Sequence, residues 1–138
     1  MISITVIITH FEDHVRLKRC LASLNLQAKI PDKVIVVDDC SKNWSYINFN
    51  KNEYNFDISF VQTIVNNNGP AVPRNIGVKL ADTSHCIFLD CDDILFPYLI
   101  YDYYQNWLLL ESQILFGHAF YWNDSNVFFL KKRIYRRE

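Results

Sequence analysis

The sequence predicts an α/β fold: an open, mostly parallel sheet flanked by helices. Three observations carry this expectation. Short apolar runs rich in β-branched residues recur at 2–9 (ISITVIIT), 33–38 (KVIVVD), 58–65 (ISFVQTIV) and 86–89 (CIFL), the pattern of strands buried on both faces. Helical patterns alternate with them. Acidic residues collect where the runs stop, which is the edge where open parallel sheets bind ligands.

The elements follow in order. Residues 2–9 read as the first strand. Leu17, Cys20, Leu21 and Leu24 then form an i, i+3, i+4, i+7 stripe within 13–27, an amphipathic helix with Asp13 as N-cap. Ile30-Pro31-Asp32 breaks it before the second strand at 33–38. This strand–helix–strand unit implies a right-handed parallel crossover. Residues 40–57, rich in Asn, Ser and Lys, read as a loop or a short irregular helix. The third strand, 58–65, ends in the turn NNNGP at 66–70. Residues 71–81 read as a helix, with Pro73 tolerated because it lies in the first turn. The fourth strand runs straight into Asp90-Cys91-Asp92-Asp93, and residues 97–111 form an aromatic-rich helix opened by Pro97. Residues 114–122 and 127–135 read as an antiparallel pair around Asn123-Asp124-Ser125-Asn126.

Composition narrows the class. Half of the 138 residues are apolar, 21% are charged and the formal net charge is −1, so disorder, collagen and coiled coil are excluded and one domain over 1–138 is expected. No apolar run reaches the ~18 residues of a spanning helix. MISITVII has no basic region ahead of its apolar run, so it reads as a strand and not a secretory signal. Cys20, Cys40, Cys86 and Cys91 show no C-x-x-C spacing, which argues for reduced thiols, against zinc and for a cytoplasmic location. Residues 1–130 carry nine Lys/Arg against fourteen Asp/Glu, whereas KKRIYRRE at 131–138 carries five against one. The acidic body argues against nucleic acid. The tail is either a solvated terminal strand or a peripheral membrane contact at the inner face.

Five carboxylates gather at strand ends: Asp38 and Asp39 after the second strand, and Asp90, Asp92 and Asp93 after the fourth. The first strand ends at Thr9-His10, and Arg74 and Asn75 begin a helix at the same edge. Carboxylates this close repel unless a cation sits among them. Oxygen ligands without His or Cys favour Mg²⁺ or Mn²⁺, whose coordination is usually completed by substrate phosphates. His10 either lines such a pocket or faces solvent. His14, His85 and His118 read as structural or exposed. With glycines only at 69, 77 and 117, no phosphate-cradling loop exists. Phosphate would be held by the metal and by Arg74.

Three segments resemble family 2 glycosyltransferases, inverting nucleotide-sugar enzymes of GT-A fold. VIITHFEDHVRLKRCLASLNLQ (6–27) is similar to a first strand and helix reading V-I-I-P-T-Y-N through S-L-L-x-Q. VIVVDDCS (34–41) is similar to V-V-D-D-G-S. NNNGPAVPRNIGVKLADTSHCIFLDCDDIL (66–95) is similar to N-x-G-x-x-x-A-R-N-x-G through F-L-D-x-D-D. The resemblance covers residue 2 to about 111 and implies a Rossmann-like GT-A sheet that lacks the later acceptor half.

The resemblance also assigns roles. Thr9 would contact the nucleobase, Asp39 would accept from it (commonly from uracil N3–H), and Arg74 would lie near the nucleotide and its phosphates. Asp90 and Asp92 would be the ends of a D-x-D motif, Asp90 toward the ribose and Asp92 on a divalent ion, with Asp93 assisting. The implied reaction is inverting transfer from a nucleotide sugar, a UDP-sugar favoured, to a glycan or lipid-linked acceptor. No residue is identified as the general base. Departures are Thr9, His10 and Glu12 for Pro, Thr and Asn, Pro73 for Ala, and Cys40 for Gly. The last asks its turn to avoid positive φ or to bear strain.

Two other readings stand beside this one. A catalytically incomplete nucleotide-binding or interaction module would use the aromatic helix (Tyr98, Tyr101, Tyr103, Tyr104, Trp107) and the basic tail for partners or self-association. A sugar-phosphate nucleotidyltransferase would need a Gly-rich basic loop where THFEDH stands.

Overall fold

A computed structural model describes residues 1–44, 49–110, 120–123 and 126–129. Among the described residues six strands and three helices follow in the expected order: β1 (Ile4–His10), α1 (His14–Asn25), β2 (Lys33–Asp38), β3 (Asp57–Gln62), α2 (Ala71–Leu80), β4 (His85–Asp90), α3 (Leu99–Leu110), β5 (Phe120–Asn123) and β6 (Asn126–Phe129). A single turn of 3-10 helix, Lys51–Glu53, lies within the polar stretch between β2 and β3. Two compact units result, Met1–Ile100 and Tyr101–Glu138.

In the first unit four parallel strands lie in the order β3-β2-β1-β4. The apolar runs explain why. Every residue of β1 is buried, and Val34, Ile35, Val36 and Val37 of β2 are at most 1% exposed, as befits strands covered on both faces. On α1 the predicted stripe Leu17, Cys20, Leu21 and Leu24 is fully buried. Asp13 caps the helix, its Oδ1 accepting from the Arg16 amide at 3.1 Å. On the other helix, a Cβ added to Gly77 would overlap the Ile7 side chain, so glycine is what lets α2 approach β1 this closely.

Two details depart from the sequence reading, and a third decides between its alternatives. β3 stops at Gln62, not at residue 65, because β2 ends at Asp38 and offers no partner beyond it. Ile64 and Val65, apolar enough to read as strand, are instead exposed. The turn holding Cys40 takes the strained alternative: Cys40 has φ of 65°, the left-handed region that glycine occupies without penalty. Several boundaries also move by one to three residues, among them α3, which starts two residues after Pro97.

All four cysteines are free thiols. In the second unit β5 and β6 pair antiparallel from Phe120↔Phe129 to Asn123↔Asn126, as the polar turn predicts. The rest of the two strands expected at 114–122 and 127–135, and the basic tail 131–138, lie outside the described residues. Tyr103 and Trp107, one turn apart on α3, have ring centroids 5.8 Å apart. Among the described residues no helix is long and apolar enough to cross a membrane.

Candidate nucleotide-binding cleft

The strand order places a topological switch between β1 and β4. From β1 the chain moves outward through β2 and β3, then crosses back to the other side of β1 as β4. Open α/β sheets bind ligands at this point, beyond the carboxyl ends of the strands. A cleft of about 610 Å³ opens there. Its wall includes Thr9 and His10 from the end of β1, Asp39 after β2, residues 68–70 and Pro73 at the start of α2, and Asp90 and Asp92 at the end of β4. That volume suits a small-molecule site.

Parallel register decides which carboxylate meets which neighbour. His10 lies beside Asp38 and Thr9 beside Asp90. Successive residues of a strand face opposite sides. Asp38 and Asp39 therefore part company. Asp38 is wholly buried, and its Oδ1 accepts from His10 Nδ1 at 2.6 Å and Ser41 Oγ at 2.5 Å. Its Oδ2 accepts from the Ser41 amide at 2.8 Å and Gln62 Nε2 at 2.9 Å. Four bonds fill the carboxylate. Burial pushes its pKa up, but the bonds from His10, Ser41 and Gln62 outweigh burial and hold it below the usual 3.8.

Asp39 organises the predicted turn. Its Oδ1 accepts from Asn67 Nδ2 at 2.6 Å, from the Asn67 amide at 3.1 Å and from Thr63 Oγ1 at 3.1 Å. Its Oδ2 takes only the second branch of the Asn67 amide, at 2.9 Å, which leaves acceptor capacity toward the cleft. The backbone carbonyl of Asp39 also holds Asn66 Nδ2 at 3.3 Å.

The end of β4 is different. Asp90 Oδ1 accepts from Arg74 Nη2 at 2.6 Å and Thr9 Oγ1 at 3.2 Å, yet the side chain stays half exposed. Asp92 is 54% exposed, and its nearest cation is Arg16 at 3.8 Å. Partial burial, then the charges of Asp92 and Asp90, raise the Asp93 pKa. Burial pushes the Cys91 thiol up to about 11, the Asp92, Asp13 and Asp90 charges adding to it and a backbone bond at Phe11 partly offsetting it. Cys20 is raised further by burial, with Cys91 and the same acidic cluster adding to it. Both remain protonated at neutral pH, so neither is a thiolate ligand or nucleophile. Among the described residues no three His, Cys, Asp or Glu side chains form a group able to hold a metal ion. An ion here would rest on one or two carboxylates, its remaining positions filled by ligand oxygens and water.

A clamp from α1 holds the segment after β4. Ser23 Oγ accepts from the Leu95 amide at 3.1 Å. The buried Gln27 donates to the Phe96 carbonyl at 2.8 Å and accepts from the Ile100 amide at 3.2 Å. Ser23 and Gln27 are the Ser and Gln of the S-L-L-x-Q resemblance, so that motif fixes the loop that carries Asp92 and Asp93.

The structure thus brings Thr9, Asp39, Asp90 and Asp92 onto one wall. Arg74 is not on it and reaches the cleft through Asp90, while Asp93 lies next to the wall residues without lining it. Of the wall residues, His10 was left open from sequence, and Phe11 and Arg16 were among those not placed in the site. His10 is 2% exposed, which removes the solvent-facing alternative. Its ring stacks on His14 at 5.0 Å and touches Trp44 at 5.5 Å. Phe11 is half exposed on the wall, and Arg16 stands one turn into α1. The available signal was position: all three lie within seven residues of Thr9, where β1 hands over to α1.

Comparison with known proteins places the chain in a family. The sequence matches the profile of glycosyl transferase family 2 over residues 5–137. The chain belongs to this family. It is 32% identical over 120 residues to the poly(ribitol-phosphate) β-N-acetylglucosaminyltransferase TarP of Staphylococcus aureus, an alignment covering 85% of this chain and 36% of TarP. Residues 1–349 of S. aureus TarS superpose with a TM-score of 0.72 and 26% identity, both in complex with UDP and in complex with UDP-GlcNAc. Those superpositions cover 80% of this chain and about a third of the TarS chain. As a family 2 chain it has the GT-A type of sheet, mostly parallel with flanking helices, that its sequence predicts.

Proposed function

We propose that this family 2 chain binds a nucleoside-diphosphate sugar, a UDP-sugar favoured, together with Mn²⁺ or Mg²⁺, for inverting transfer to a glycan or lipid-linked acceptor. One observation carries the reading: Asp39, Asp90 and Asp92 rim a single cleft at the switch point of the sheet. The UDP and UDP-GlcNAc complexes of TarS, built on the same fold, support the choice of donor.

Each role follows from what a side chain has left to offer. Asp39 Oδ2 accepts from the base N–H, and Thr9 lies beside the base. Phe11 offers an exposed ring face on which the base stacks. Asp90 accepts from a ribose hydroxyl, and Arg74 acts on the nucleotide by neutralising Asp90. Asp92, with Asp93 assisting, would hold the divalent ion. Such an ion, when bound, would neutralise charge on the leaving diphosphate. Every carboxylate of the described cleft wall is then accounted for, since Asp13 caps α1 while Asp39, Asp90 and Asp92 bind the donor. The general base is assigned to none of them. A cytoplasmic setting with peripheral membrane contact belongs to the same proposal.

The test is a calorimetric titration of the purified chain with UDP, with and without Mn²⁺. Binding that requires Mn²⁺ and is lost in Asp92→Asn supports the reading. A folded chain that binds UDP equally well without metal removes the metal role, and one that binds no nucleoside diphosphate removes the donor role.

A further inference from the structure

The residue that meets the donor's diphosphate can be argued from charge and hydrogen-bond supply on the cleft wall. This step rests on the donor-binding reading above. The wall carries four carboxylates, from Asp13, Asp39, Asp90 and Asp92. Among the described residues, Arg16 is the one Lys or Arg on it. A diphosphate adds further negative charge to this surface, so it needs cationic partners.

Of the other cationic or helix-end sources expected at this edge, Arg74 is taken and the start of α2 is short of N–H groups. Arg74, the cation expected from sequence, does not line the cleft, and its guanidinium is held by Asp90 at 2.6 Å. The start of α2 borders the cleft at Gly69, Pro70 and Pro73. A helix start normally offers several free N–H groups to an anion, but Pro70 and Pro73 have none.

Arg16 is poised for that role. Asp13 holds it twice, through the backbone cap at 3.1 Å and through Oδ2, 3.4 Å from Nη1. The same Nη1 lies 3.8 Å from Asp92 Oδ2. More than half of the side chain is exposed, and pairs in such a setting are weak and easily exchanged. A guanidinium can then grip phosphate oxygens with paired N–H groups.

We propose that Arg16 is a diphosphate-binding residue that changes partner. In the ligand-free chain it neutralises Asp13 and Asp92. With donor and a divalent ion bound, Asp92 would serve the ion and Arg16 would turn to the phosphate oxygens, with Asp13 keeping the stem of the arginine in place.

Titrations of wild type, Arg16→Gln and Arg16→Lys with UDP and with uridine, both in Mn²⁺, test this. Uridine keeps the base and ribose and lacks the phosphates. Arg16→Gln is expected to weaken UDP about tenfold, the scale of one lost charge-assisted contact. Uridine affinity should stay within about twofold, and Arg16→Lys should recover part of the loss. Mn²⁺ alone should bind Arg16→Gln at least as tightly as wild type, because a competing cation has gone from Asp92. Unchanged UDP affinity in Arg16→Gln, or equal losses for UDP and uridine, overturns the inference while leaving the donor reading intact. A wild-type chain that binds neither ligand overturns both.

Discussion

The ends of β2 and β4 carry the same chemistry and put it to opposite use. Asp38 and Asp39 are at most 5% exposed, and hydrogen bonds from His10, Ser41, Gln62, Thr63 and Asn67 absorb nearly all their acceptor capacity. Asp90 and Asp92 are about half exposed, each with one arginine in reach and few other partners. A buried carboxylate is tolerable only when its bonds are made internally, so it becomes scaffold. An exposed one keeps its charge available for a ligand. The scaffold end holds the turn and strand ends in place while Asp39 Oδ2 keeps some acceptor capacity toward the cleft, and the open end is left to receive what the cleft binds.

Removing the scaffold should have the largest effect. Asp38→Ala strands a buried His10 and three further donors, and each buried group left unsatisfied typically costs about 1–3 kcal/mol. Denaturant unfolding should show it, and a wild-type midpoint would end the contrast between the two ends. Asp92→Asn should do the reverse. It should lower Mn²⁺-dependent UDP affinity about a hundredfold, in keeping with the loss of several kcal/mol of charge neutralisation. Its unfolding free energy should move by less than about 0.5 kcal/mol, as at an exposed site.

Gln27→Ala joins the two behaviours. It leaves the Phe96 carbonyl and the Ile100 amide without the partner they have in Gln27, for a loss of about 1–3 kcal/mol, and it should loosen the loop that carries Asp92. Weaker UDP binding with full stability would move Gln27 from clamp to ligand contact.

Acid titration sharpens the contrast further. Because the folded pKa of Asp38 is depressed, its stabilisation is present above the usual 3.8 and is lost as pH falls through the lower folded value. Asp93 has the opposite sign: its raised pKa makes its ionised form a cost to the fold, which protonation relieves. Unfolding measured from pH 5 down to about 2 should therefore be flatter in Asp38→Asn than in wild type.

The smallest expected effect is at Cys40. Cys40→Gly should raise stability by up to about 1 kcal/mol, since the relief of left-handed strain at φ of 65° exceeds the freedom the unfolded chain gains. A thermal midpoint that drops would mean that the thiol's contact with the Ile64 carbonyl, at 3.5 Å, outweighs the strain.

Much of this was legible in one dimension. Buried strands announce themselves as unbroken runs of Ile and Val, and the α1 stripe gave the helix face residue by residue. The acidic motifs share one edge of the sheet because parallel strands with helical crossovers all end on one side. The reading failed where partners decide. Ile64 and Val65 look like strand, but β2 ended too soon to pair with them. Nor does the sequence show that Arg74 is held by Asp90 off the cleft wall while Arg16 lies on it.

The sequence by itself thus determined the fold class, the element order and the set of acidic residues at one edge of the sheet, because periodicity and turn chemistry are local. Only the tertiary structure decided which carboxylates are scaffold and which are open, and which arginine faces the cleft. Those depend on strand register and on where helices cross the sheet, and both are set by contacts between residues far apart in the chain.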